Sequence, residues 1–145
     1  MNEVNNTFLG KQDLKKLNLK ITKPRLKILN IFNNFPKRHL SAEDILKILH
    51  KNNDYISIAT LYRVLTQFES VGLLQKLNLW GDEYVYELDS SNHDHIVCLK
   101  CYGIEEIFDP VIASRQTKAV ERIKGKMIKR SSVIYIECQK CLSKK

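Results

Sequence analysis

No stretch of this sequence approaches 18 consecutive apolar residues, so no segment is expected to span a membrane. The opening "MNEVNNTFLGKQ" lacks the basic-then-apolar layout of a secretion signal, and a cytoplasmic protein is the expectation. Internal repeats and low-complexity tracts are absent, which excludes a solenoid or a compositionally disordered chain. Acids are scarce in one place: from Lys11 to Lys27, Asp13 stands alone against Lys11, Lys15, Lys16, Lys20, Lys23, Arg25 and Lys27. Within a net charge of +8, such a run fits either a solvated helix face or a nucleic-acid footprint. At 145 residues, 43% hydrophobic and 28% charged, the chain suits one average globular domain or two small ones.

Cysteine is rare but not scattered. All four copies fall in two CxxC pairs, Cys98/Cys101 and Cys138/Cys141. Disulfides are disfavoured in a reducing cytoplasm, and a thioredoxin-like redox site needs one such pair in a βαβ context. Two knuckles supply four thiolates, the pattern of a structural zinc site.

"ITKPRLKILNIFNNF" reads as a helix capped by Thr22, with Pro24 in its first turn and a stripe of Leu26, Ile28, Leu29, Phe32 and Phe35. "LSAEDILKILHKNN" is a second helix, opened by a Ser41/Asp44 capping box before Ile45, Leu46, Ile48 and Leu49. "SIATLYRVLTQFESVG" is a third, from Ser57 to Gly72, with Ile58, Leu61, Leu65 and Phe68 facing inward and Thr60, Tyr62, Arg63 and Gln67 elsewhere. "LLQKLNLWGDEYVYEL" alternates as two strands around a "WGDE" turn. Helices followed by a hairpin, with Tyr and Arg exposed on the third helix, give the layout of a winged helix. Arg on such a helix reaches guanine edges and phosphates, and aromatics contact thymine methyls. "LDSSN", residues 88–92, looks like a hinge. Beyond it "HIVCLKC", "IEEIF" and "SVIYIEC" are strand-like, and "DPVIASRQTKAVERI" is a helix. The expectation is an α+β chain: a winged-helix DNA-binding domain over residues 1–88 and a small α/β domain over 89–145 anchored by zinc.

Two of the chain's four histidines are His93 and His95, flanking Asp94. In an extended segment, i and i+2 side chains share a face, so both imidazoles can approach one ion while Asp94 points away. Glu87, Glu105 and Glu106 lie near in sequence. Imidazole with carboxylate suits Fe(II), Mn(II) or Zn(II), a chemistry distinct from the thiolate set.

Together, "KITKPRLKIL", "HLSAED", "ATLYRVLTQFESVGLL", "YELDSSNHDHIVCLKC" with Glu106, and "CQKC" resemble the ferric uptake regulator (Fur) family of metal-dependent bacterial repressors, from about Leu14 to Cys141. The resemblance implies an N-terminal winged helix, a C-terminal dimerisation domain, and a homodimer or tetramer on a double-stranded palindromic operator. It implies structural zinc on Cys98, Cys101, Cys138 and Cys141. It also implies a regulatory metal, Fe(II) with Mn(II) or Zn(II) as substitutes, on His39, Glu87, His93, His95 and Glu106. Glu105 is the alternative to Glu106, because Tyr102 stands where the family usually has glycine. Lys20 matches a lysine that enters the minor groove, and Tyr62 and Arg63 match the major-groove readers. A further metal site common in the family maps to Asn92, Asp94, Ala113 and Arg130, where one ligand of four survives; that site is expected to be absent.

Rivals within the family are zinc and peroxide sensors. Zinc sensors usually place a thiol in the sensing site, and here the knuckles use all four; peroxide sensors usually have aspartate where this chain has Glu87 or Glu106. From other classes, a zinc hydrolase or deaminase would need an H-x-E and a Pro-Cys knuckle, both missing from "HDHIVCLKC". An RNA-binding zinc ribbon would account for charge and cysteines but not for the helical half. A DNA-binding regulator without catalysis is the expectation.

Overall fold

The computed structural model describes residues 8–35, 39–89 and 93–144, and the chain divides after Asp89 into two compact units. The hinge expected over residues 88–92 falls partly outside the described residues, as does Asn92.

The first unit runs α1 (Lys11–Lys16), α2 (Lys23–Asn34), β1 (Leu40–Ser41), α3 (Ala42–Lys51), α4 (Ile58–Ser70), β2 (Leu74–Trp80) and β3 (Glu83–Leu88). The helix starts follow local chemistry. Thr22 Oγ1 accepts from the Arg25 N–H at 3.4 Å, and Ser57 Oγ from the Thr60 N–H at 3.1 Å. At α3 the Ser41 hydroxyl accepts from the Asp44 N–H at 3.1 Å while Asp44 accepts from the Ser41 N–H at 3.0 Å, closing the capping box. Gly72, at φ +73°, turns the chain from α4 into β2, a left-handed conformation that suits glycine.

Ile28, Leu29 and Phe32 of α2, Ile45 and Leu49 of α3, and Leu61, Leu65 and Phe68 of α4 form one core, closed by the sheet through Leu74 and Tyr86. The sheet is antiparallel in the order β1-β3-β2. Among the described residues this is a core of α2, α3 and α4 with α1 packed on it through Leu14, and a wing.

Three features depart from the sequence expectation. The inward stripe of α4 is Leu61, Val64, Leu65 and Phe68, while Ile58, expected inside, is 62% exposed. Its place in the first turn carries it past that stripe. The basic segment contains α1, six residues capped by Asp13, whose Oδ2 accepts the Gly10 N–H at 2.8 Å, and pinned by fully buried Leu14. The wing also gains the two-residue strand β1 on its outer edge.

The second unit runs β4 (Asp94–Cys98), β5 (Ile104–Ile107), α5 (Pro110–Arg122), β6 (Val133–Ile136) and α6 (Gln139–Leu142). Its sheet order is β5-β4-β6, antiparallel on one side of β4 and parallel on the other. A parallel pair needs a crossover, and α5 supplies it. Asp109 caps α5, its Oδ1 accepting from the Val111 and Ile112 N–H groups at 2.7 and 3.2 Å, and Pro110 takes the first position. The buried residues of this unit, among those described, are Asp94, His95, Val97 and Cys98, all on β4. Helix α5 buries none. A unit this thin needs a staple or a partner.

Candidate metal centres and nucleic-acid interface

β4 ends at Cys98, and its parallel register with β6 sets Cys98 opposite Ile136. Both knuckles therefore emerge from the same end of the sheet. The four thiols lie within 4.8 Å of one another, with Cys101 Sγ to Cys138 Sγ at 3.7 Å and Cys98 Sγ to Cys141 Sγ at 3.9 Å. A tetrahedral zinc with Zn–S bonds of about 2.3 Å has an S···S edge of about 3.8 Å. Such contacts can be drawn as weak thiol hydrogen bonds, but matching edges and convergence of all four sulfurs fit a tetrahedral ion better.

The protonation pattern points the same way. Backbone N–H groups of Cys101 and Cys138, with that of Lys100, stabilise the Cys98 thiolate and bring its pKa down to about 6. Cys141 is pushed up to about 12, chiefly by the neighbouring Cys138 thiol. Four thiols gathered without a cation resist full ionisation, and a divalent ion removes that conflict. The knuckle turn also explains Tyr102: it sits at φ +58°, the left-handed region in which glycine is unstrained.

A second set of ligand types is split between the units. In the first, β1 pairs with β3 so that Leu40 faces Tyr86, which carries His39 to Glu87. His39 Nε2 and Glu87 Oε2 are 2.7 Å apart, with side chains only 7% and 4% exposed. A buried imidazole and carboxylate at this distance must share a proton or a cation. In the second unit, His93 Nε2 and His95 Nε2 approach to 3.2 Å with their rings edge-on. The β4–β5 register sets His95 opposite Glu106 and Ile96 opposite Glu105. Glu106 thus shares the face of His95, and a carboxylate oxygen lies within 4.8 Å of a His95 ring nitrogen. Glu105 belongs to the other face. Each half has donors suited to Fe(II), Mn(II) or Zn(II).

Asp94 turns away from the histidines into the interior, 2% exposed, and meets a cation of the chain's own. Arg130 Nη2 lies 3.5 Å from Asp94 Oδ1, with only 8% of the side chain exposed. Arg130 Nη1 donates to Gln116 Oε1 at 3.2 Å, and Gln116 Nε2 donates to Ser132 Oγ at 3.3 Å. A guanidinium thus stands beside the one surviving carboxylate of the Asn92, Asp94, Ala113 and Arg130 set. Nothing in the spacing announced Gln116 or Ser132.

On α4, Tyr62 is 50% exposed and Arg63 is also outward, while the core stripe holds the opposite face. Lys11, Lys15, Lys16, Lys20 and Lys23 are exposed. The other two cations of the run are engaged: Lys27 pairs with Asp54, and Arg25 binds Gln67 of α4 and the Lys20 carbonyl. The Arg25–Gln67 pair, 42 residues apart, has no sequence signal.

Residues 16–135 match the Ferric uptake regulator family. A ferric uptake regulation protein of Neisseria meningitidis serogroup C is 43% identical over 138 residues, covering 94% of this chain and 96% of its own. The solved ferric uptake regulator of Pseudomonas aeruginosa with manganese matches with a TM-score of 0.80 at 38% identity, over 88% of this chain and 96% of that one. The regulator of Francisella tularensis with iron gives 0.75 and 40%, over 86% and 95%. The chain belongs to the ferric uptake regulator family.

Proposed function

We propose that this protein is a metal-responsive transcriptional repressor, not an enzyme, that binds palindromic operators of iron-uptake genes as a homodimer in the cytoplasm. Residues 1–88 would engage DNA through Tyr62 and Arg63 in the major groove and Lys20 in the minor groove. Residues 89–145 would dimerise, and the half-exposed Val111 of α5 and Tyr135 of β6 offer apolar surface for that contact. Cys98, Cys101, Cys138 and Cys141 would hold a structural zinc, a closed set with no open position for catalysis.

His39 and Glu87 from one unit, with His93, His95 and Glu106 from the other, would hold the regulatory ion, for which Fe(II) is the expected metal and Mn(II) or Zn(II) the substitutes. The imidazoles and carboxylates of these residues would supply its coordination. The chain's own residues set the coupling: if DNA and metal favour the same arrangement, each raises affinity for the other equally. The observation that carries the proposal is the imidazole–carboxylate pairing found separately in each unit. Relatives named for ferric uptake, and solved relatives with iron and with manganese, support it. No helix among the described residues is long and apolar enough to cross a membrane.

The test is metal analysis of protein purified without added metal, followed by anaerobic operator titrations with Fe(II), Mn(II) and Zn(II). About one zinc per chain should be retained, and Fe(II) or Mn(II) should raise operator affinity. Intrinsic affinity order favours zinc over iron, so activation by nanomolar Zn(II) with none by Fe(II) at cellular levels would overturn the iron assignment.

A further inference from the structure

Lys20 lies in the stretch between α1 and α2, outside any helix or strand, with its side chain exposed. A long side chain on such a segment is a poor DNA contact unless its backbone is held, because ordering it on binding subtracts from affinity. The backbone is held: Arg25 donates through Nη1 to the Lys20 carbonyl. The same guanidinium donates through Nη2 and Nε to Gln67 Oε1, at 2.7 and 3.3 Å. Gln67 lies on α4 one turn beyond Arg63 and is half-buried, beneath the exposed face. One rigid, planar group therefore bridges the segment carrying Lys20 and the helix carrying Tyr62 and Arg63. A lysine, a point charge on a flexible stem, could not serve both acceptors in that geometry.

We propose that Arg25 is a positioning residue for DNA recognition. Anchored on Gln67, it fixes the Lys20 backbone relative to α4, so that the minor-groove lysine and the major-groove pair engage as one preformed surface. This rests on the DNA-binding face proposed above. Arg25 spends its charge inside the protein, which separates it from the exposed lysines of the same run. Loss of the clamp leaves one or two residues to be ordered on binding, a loss on the order of tenfold in operator affinity.

The decisive variant is Gln67→Ala, which removes no charge. Full-length, metal-loaded protein is titrated against operator duplex by anisotropy over a salt series, beside Lys20→Ala, Arg25→Lys and the double variant Lys20→Ala/Gln67→Ala. Lys20→Ala should lower the slope of log affinity against log salt by about one, as expected for one lost phosphate-neutralising cation. Gln67→Ala and Arg25→Lys should lower operator affinity about tenfold with the slope retained, because their charge is unchanged and Lys20 still reaches DNA once ordered, and the double variant should bind no more weakly than Lys20→Ala. Zinc content and thermal unfolding identify any variant that fails to fold, and Arg25→Lys then carries the test in place of Gln67→Ala. The clamp is overturned by full affinity in both charge-conserving variants, by additivity in the double variant, or by a Lys20→Ala slope equal to wild type. Arg63→Ala separates the levels: if it binds operator like wild type, the DNA-binding face itself is wrong.

Discussion

Arg130→Leu removes the guanidinium beside Asp94 and leaves a carboxylate, 2% exposed, without that cation. At 3.5 Å and an effective dielectric near 20, the direct attraction is about 5 kcal/mol before desolvation. Breaking a buried pair from one side typically costs about 3–5 kcal/mol, because the remaining charge stays buried. Here the lower end applies: the Arg130–Asp94 approach lacks hydrogen-bond geometry, and neither Asp94 Oδ1 nor Arg130 Nη2 has a hydrogen-bond partner among the described residues. The expected loss is about 3 kcal/mol, confined to the second unit. Because the single tryptophan, Trp80, lies on β2 of the first unit, two probes separate the units. In denaturant melts of zinc-loaded protein, the far-ultraviolet circular dichroism transition should broaden or split while the Trp80 fluorescence midpoint stays put. Asp94→Leu/Arg130→Leu, which removes both charges, should be less damaging than Arg130→Leu alone. A loss under about 1 kcal/mol in the single variant would refute the idea that Arg130 holds this charge in place.

Two smaller tests address single local features. Tyr102→Gly should raise thermal stability by about 0.5–1 kcal/mol, since relief of left-handed strain at φ +58° outweighs the added chain entropy; an unchanged or lower melting point counts against strain in the knuckle. Ser41→Ala should cost about 1 kcal/mol through loss of the α3 capping box, read from the Trp80 fluorescence melt.

Much of the first unit was legible because its signals are local. Thr22, Ser41 and Ser57 cap where their side chains can reach an N–H three residues on, and the "WGDE" turn sits between two alternating strands. The CxxC pairs were equally readable, because a knuckle places two thiols by its own turn. Less legible was anything decided by a partner distant in sequence. Ile58 has the spacing of a core residue, yet exposure depends on where the other helices end. Glu105 and Glu106 are distinguished by strand register, which pairs His95 with Glu106. α1 was hidden by its charge, although Leu14 is fully buried. His39 showed no pattern at all until the "HLSAED" match, because its partner Glu87 is 48 positions away and meets it only through the short strand β1.

Zinc removal should act unequally on the two units. The first unit has a continuous core running from Leu14 to Tyr86 and needs no ion to bury it. In the second, the buried residues described all lie on β4, and α5 contributes none. Its two knuckles converge only at the sheet end where Cys98 and Ile136 pair, so a metal there closes β4 and β6 together. Zinc binding free energy is then folding free energy for this unit. Chelation, or Cys98→Ser, should abolish the proposed dimer and the dichroism arising from α5 and the second sheet. The Trp80 environment and the unfolding of the first unit should survive. Loss of both signals together would mean that the first unit depends on the second for its fold, and a folded, zinc-free dimer would mean that the four thiols are not structural.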